Sequence, residues 1–316
     1  MGYELFKNRT YRGVISKGLG LYFSHFRLFF KASWLMALLY AAVFSALGTL
    51  CAIKLPAITA EIMKQTLVQH QLLSMETAWE YLFTGGAIIV LILLYIVVEA
   101  LTFATVLNKL KEHQDTGKMT VSRRWLAVST KLMGRTLKGY LFSLLVVLIP
   151  VLVIAGLFMV LLKFVTLAPV TLVTTSLILT VAVILLSFPL IYVAMKYILN
   201  KGGGYFSVLS KSYGTGFRHW GHIFTTCLIG GLLICVLMSL FCMPAIILTQ
   251  ANVVAQEGFL NGDPLGMPDY ANLLTIVTFF LTGFVLVYLY IPILPVFYYM
   301  YGSIESYEQE KNKLEI

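Results

Sequence analysis

The chain has 316 residues, 59% of them apolar and only 12% charged, with a mean hydropathy of +0.87. A soluble domain carries roughly a quarter charged residues, so this composition excludes one and indicates an integral membrane protein. The formal charge is +9, and the four cysteines show no CxxC or paired ligand spacing, which gives neither a disulfide framework nor a cysteine metal site.

In chain order, Lys7, Arg9 and Arg12 lead into a ten-residue pattern that occurs three times: aromatic, any, small, Val, any, Ser or Thr, Lys, any, any, Gly. The copies are Tyr11, Gly13, Val14, Ser16, Lys17, Gly20; then Trp125, Ala127, Val128, Thr130, Lys131, Gly134; then Tyr205, Ser207, Val208, Ser210, Lys211, Gly214. At 100° per residue each copy gathers its apolar residues on one face and its lysine on the other, the pattern of an amphipathic interfacial helix. Each copy precedes an odd-numbered membrane span, so the repeating unit is a short surface helix plus a membrane hairpin.

Phe26, Arg27, Phe29, Phe30, Lys31 and Trp34 form an aromatic and basic belt ahead of the first span. Six apolar stretches reach the length of about 20 residues that a hydrocarbon core demands: Ala32 to Leu55, Gly85 to Leu107, Gly139 to Leu162, Val170 to Ile198, His222 to Thr249 and Leu273 to Tyr299. The first lies too deep in the chain to be a cleaved signal peptide. Pro56 to Thr84 reads as an outer loop with a short helix, and spans 3 and 4 join through a tight turn near Lys163 and Pro169. Spans 2 and 4 end in the same tripeptide, Leu107-Asn108-Lys109 and Leu199-Asn200-Lys201. Gly202 to Gly204 read as a flexible link, lacking the spacing of a phosphate loop. The outer loop after span 5 is acidic and turn-rich, and the tail from Ser303 onward reads as polar and mobile.

With both termini in the cytoplasm, 20 of the 23 Lys and Arg lie on the inner side, leaving Lys54, Lys64 and Lys163 outside; that bias sets the expected orientation. Eight basic residues lie between Lys109 and Lys138, the strongest positive patch. Such basicity suits anionic headgroups at about 1 kcal/mol per residue and gives no reason to invoke nucleic acid. The expectation is an all-α integral membrane protein of the plasma (inner) membrane, forming a single membrane domain over residues 1–316. Six transmembrane helices form three repeat units, 9–108, 123–200 and 203–302, followed by a polar tail, 303–316.

Three groups of residues are candidates for function. Glu99 is the acidic residue deep within a span, where a carboxylate costs several kcal/mol unless paired or hydrated. Pro189 in span 4 and Pro292 with Pro295 in span 6 lie near its level and free backbone carbonyls. These residues, with Tyr192 and Tyr288 as partners for Glu99, outline a candidate intramembrane polar site; a structural, hydrogen-bonded glutamate is the plainer alternative. Lys17, Lys131 and Lys211, with Arg27, Arg135 and Arg218, are candidates for lipid headgroups, against ordinary snorkelling. His219 and His222 have a spacing that could share a metal, but with no local carboxylate or cysteine they read as interfacial anchors, so no metal or cofactor is expected. Cys51 and Cys242 lie at similar depths and would pair only if their helices touch.

Three successive units of this kind, with lead-ins such as Phe26-Arg27 and Phe217-Arg218, resemble a broad set of bacterial six-span proteins that includes the membrane domain attached to some glycerophosphodiester phosphodiesterases. The resemblance implies the six-span architecture and carries over no site residue. No counterpart of the phosphodiesterase domain is present in these residues, so it implies no such activity. Neither HExxH, GxSxG nor a Walker pattern occurs. The expected function is non-enzymatic: binding of the bilayer's anionic lipids at the cytoplasmic face, as an envelope accessory or scaffold with a protein partner in the inner membrane. The alternatives are a transporter or pore for a small solute or lipid with Glu99 in the pathway, and a membrane-embedded lipid enzyme.

Overall fold

In the computed structural model, residues 5–68, 74–117, 119, 130–164, 169–200, 202–262 and 266–314 are described, and among them the chain is helical with no strand. Helix α1 (Tyr11–Ser24) opens on the aromatic residue of the first repeat copy. It is capped by Thr10, whose hydroxyl accepts the Gly13 N–H. It stops at His25, and α2 (Phe26–Thr49) starts one residue later. A wide π-turn, Leu50–Lys54, leads into α3 (Leu55–Met63) ahead of Pro56, which has no N–H to continue the regular ladder. A second π-turn, Lys64–Val68, follows.

The remaining helices are α4 (Met75–Thr116), α5 (Thr130–Phe164), α6 (Pro169–Ser187), α7 (Pro189–Leu199), α8 (Tyr205–Arg218), α9 (Trp220–Leu260), α10 (Tyr270–Tyr290) and α11 (Ile293–Leu314). Among the described residues, six helical segments are long and apolar enough to cross a membrane. All but the fourth outrun the expected spans: α4 has 42 residues, on the order of 63 Å at 1.5 Å per residue, about twice the hydrocarbon thickness.

Two sequence expectations are corrected. The outer loop expected over Pro56 to Thr84 is a continuation of helix on both sides. The Gln65 amide ties the two arms, donating to Glu61 (3.1 Å) and Thr77 (2.9 Å) and accepting the Ser74 N–H (3.0 Å). The tail expected as mobile is the end of α11, with Ser303, Ile304 and Ser306 buried. Its Glu, Gln and Lys are strong helix formers, so polarity there marks an outer helix face. Most of the second repeat copy, from Trp125 to Ser129, and the side chain of Lys131 lie outside the described residues, as do Lys201, Asp263 and Pro264.

The chain divides into two compact units. One takes in the chain up to Phe29, Phe103–Leu232 and the chain from Pro292 on. In it, α1 and α11 approach so closely that a Cβ on Gly18 would lie 2.6 Å from the Val296 Cα. At Gly302 a Cβ would meet the Leu5 carbonyl at 2.5 Å, and beside it the Ser303 hydroxyl accepts the Arg9 N–H (2.9 Å) and donates to the Arg9 carbonyl (3.1 Å). The other unit, Phe30–Thr102 with Leu233–Ile291, interlocks by aromatic rings over glycines. Phe279 fills the space beside Gly48 on α2, and Phe44 of α2 fills the space beside Gly283 on α10. Ala52 and Ala245 close this core. Cys51 and Cys242 in this unit are free thiols, so the pairing considered from depth is not made.

Candidate functional site

The two proline-marked spans break where the sequence predicts: α6 gives way to α7 at Phe188-Pro189, and α10 to α11 at Ile291-Pro292. Pro189 cannot donate to the Leu185 carbonyl four residues back. The Trp220 indole N–H donates to that carbonyl at 2.8 Å, and the Tyr213 hydroxyl donates to the next one, Leu186, at 2.8 Å. Helix α8 fits against the break because it presents a glycine: a Cβ on Gly216 would stand 3.1 Å from Pro189 Cβ and 3.3 Å from the Tyr192 ring.

One turn beyond Pro189, the buried Tyr192 donates its hydroxyl to Glu305 of α11 (2.7 Å). Lys196 sits 2.6 Å from the same carboxylate oxygen and donates to the Tyr192 hydroxyl at 3.1 Å, closing a three-membered group. Tyr301 packs beside Tyr192, with ring centroids 5.9 Å apart, and donates to the Asn200 side chain at 3.1 Å. One turn further along α11, Glu308 holds His219 Nε2 (2.8 Å) and Arg218 Nη1 (3.2 Å) at the α8–α9 junction. Glu305 and Glu308 thus fasten α11 to two different elements. Tyr192, Lys196 and Glu305 thus form a latch between α7 and α11.

The candidate site residues fall into separate places. Tyr192, expected as a partner of Glu99, pairs with Glu305 instead. Pro189 lies on α7, with Pro295 on α11 and Pro292 immediately before it, in the same unit as this latch. Glu99 and Tyr288 belong to the other unit. There Glu99, half-buried on α4, lies within electrostatic range of Tyr40 and of Tyr95, one turn away; these two hydroxyls are 2.5 Å apart. Tyr288 stacks on Phe30 with centroids 5.0 Å apart.

The basic candidates divide in the same way. Lys17, Arg27 and Lys211 are exposed. Arg218 is held by Glu308. Arg135 lies over the Tyr197 ring (4.6 Å) and donates to the Tyr197 and Gly202 carbonyls, while Lys111 donates to the Leu199 carbonyl. The last carbonyls of α7 have no partner within the helix, and cations suit that negative end, which is what draws Arg135 inward. His219 is paired with Glu308, and no group of three potential metal ligands occurs among the described residues. At the start of α8, burial raises the Tyr205 hydroxyl pKa above its ordinary range, opposed by its hydrogen bond to Ser143 (2.7 Å).

Sequence reasoning missed Lys196, Asn200, Tyr301, Glu305 and Glu308. The signal was present: Tyr298, Tyr301, Glu305 and Glu308 recur at three- and four-residue steps, which places them on one stripe of a helix. Together these features define an all-helical, multi-pass integral membrane protein whose membrane helices are broken at proline and fastened by buried polar groups. No protein-family model, curated protein or solved structure matches the chain.

Proposed function

We propose that the protein is a non-enzymatic component of a bacterial plasma (inner) membrane, with both termini in the cytoplasm, that grips anionic lipid through its basic interfacial helices and serves as an envelope accessory or scaffold. The observation that carries this reading is the placement of Lys17 and Lys211. Helices α1 and α8 both have 14 residues, both start on the aromatic residue of the repeat, and both end one residue before a long helix, at His25 and His219. Their lysines stand at the same position, exposed and without a partner among the described residues. That equivalence supports the kinship of the first and third repeat copies. With Arg27, three such cations would contribute about 3 kcal/mol of attraction to an anionic leaflet.

The test is native mass spectrometry of the protein from nanodiscs of mixed phosphatidylglycerol and phosphatidylcholine, beside the Lys17→Ala, Lys131→Ala, Lys211→Ala triple variant. Loss of retained phosphatidylglycerol in the variant is expected; equal retention overturns the reading. A second reading, transport, is favoured by the grouping of Glu99 with Tyr40 and Tyr95 inside membrane helices. It requires that Glu99→Gln change solute flux in proteoliposomes.

A further inference from the structure

Two cavities lie side by side in the unit that holds the latch, of about 530 Å³ and about 510 Å³, sharing Val147, Ser187 and Leu190 in their walls. Each falls within the range of about 300–1,000 Å³ usual for ligand sites. The first runs between α5 and α7, and the second reaches α8 at Leu209, Ser210 and Tyr213. We infer that this double cavity seats the hydrocarbon chain of a membrane phospholipid, a site that rests on the headgroup reading above only for the end at which the lipid enters.

The chemistry of the walls favours an apolar occupant. Their hydroxyls are already engaged within the protein: Thr136 donates to the Leu132 carbonyl, Ser187 to Ile184, Ser210 to Ser207 and Tyr213 to Leu186, while Ser143 is paired with Tyr205. Tyr140, the remaining hydroxyl, packs edge-on against Phe103 and has a further interaction of its own. What faces the space is mostly aliphatic and aromatic surface. Water does not fill a space of that kind, since each molecule needs two to four polar partners. An empty space of this size would forfeit dispersion contacts along every wall.

The space is also reached from the membrane. Leu148 in the first wall is 41% exposed and Leu186 in the second is 50% exposed, on helices that cross the bilayer. Within the most apolar 18 residues of span 3 none is fully buried, so α5 leaves surface open beside these walls. Direction follows from charge: Ser210 lines the second cavity, and the next residue, Lys211, is exposed. An anionic headgroup at Lys211 lets its chain run inward along Leu209 and Leu190.

Phosphatidylglycerol carrying a diazirine in one acyl chain, photolysed with the protein in nanodiscs and mapped by peptide mass spectrometry, tests this directly. Labelling is expected to concentrate on Val147, Leu190 and Ile191 over the exposed membrane positions Leu152 and Ile178, and to fall in Ala194→Phe, whose ring intrudes on the first cavity. Labelling spread in proportion to exposure in the unaltered protein overturns the inference without recourse to the variant. The phosphatidylcholine analogue separates the two readings. Equal cavity labelling by both lipids keeps the chain site and counts against the headgroup reading. An unlabelled cavity, with phosphatidylglycerol still lost from the triple lysine variant, overturns the chain site alone.

Discussion

Glu305→Ala is the substitution that tests the latch most directly. It removes the acceptor of the Tyr192 hydroxyl (2.7 Å) and the counter-charge of Lys196 (2.6 Å) in one step. Tyr192 is fully buried, so its O–H is left without an acceptor, a loss of about 1–3 kcal/mol. Breaking a fully buried ion pair costs about 3–5 kcal/mol and an exposed one about 0–1. The side chains here are 28% exposed at Lys196 and 16% at Glu305, so the ionic part is discounted to about 2 kcal/mol. The expected loss is therefore about 3–5 kcal/mol. Lys196→Met is milder, because Glu305 keeps the Tyr192 hydrogen bond.

The assay is reversible unfolding in mixed micelles, followed by tryptophan fluorescence, for Glu305→Ala, Lys196→Met and the double variant. A coupling of about 1–2 kcal/mol is expected from the cycle, well above the roughly 0.5 kcal/mol at which independent sites add. Strict additivity would refute the latch, since it would mean that the lysine and the glutamate do not sense each other in the folded protein.

Three further substitutions separate close packing from simple helix propensity and from cap chemistry. Gly18→Ala and Gly20→Ala lie on the same helix and gain the same propensity, about 1 kcal/mol. A Cβ at Gly20 meets nothing within 4 Å, whereas at Gly18 it meets the Val296 backbone at 2.6 Å, so Gly20→Ala should stabilise and Gly18→Ala should destabilise by about 1–3 kcal/mol net in the same unfolding assay. Trp220→Phe keeps an aromatic ring beside Phe224 but leaves the Leu185 carbonyl at the Pro189 break without its donor; a loss of about 1–2 kcal/mol is expected, and no change would mean that the break needs no such cap.

What was legible in the sequence is what depends on neighbours along the chain. Helices α1 and α8 begin at Tyr11 and Tyr205, the aromatic residues that open two repeat copies, because amphipathic period and helix start are local properties. The breaks at Pro189 and Pro292 are legible only in part: proline lacks a donor wherever it sits, yet Pro150 and Pro244 stand inside the unbroken α5 and α9, so residue type marks where a helix can break. The latch was not legible, because Tyr192 and Glu305 are 113 residues apart and no spacing rule links them. In the sequence Tyr192 stands as a partner offered to Glu99, and residue type alone does not choose between Glu99 and Glu305. The end of α11 escapes for a different reason: its composition is polar and reads as unstructured, although the stripe from Tyr298 to Glu308 keeps helical phase.

The basic residues show how far charge alone can be taken. Six cations were candidates for lipid on equal grounds. Arg135 is drawn to the carbonyl end of α7 and Arg218 to Glu308, so each has an internal partner and would have to give it up to meet a headgroup. Lys17, Lys211 and Arg27 have no such competing partner among the described residues. A headgroup that binds them displaces water from exposed side chains and leaves every fastening of the fold intact. Lipid binding at these positions is therefore separable from stability: Lys17 and Lys211 are exposed and lie about 100° and 140° round their helices from the Gly18 and Gly216 contacts, whereas alanine at Arg135 removes an α7 cap. Any lipid effect of Arg135 is thus confounded with folding, and only the exposed lysines can report on the membrane surface.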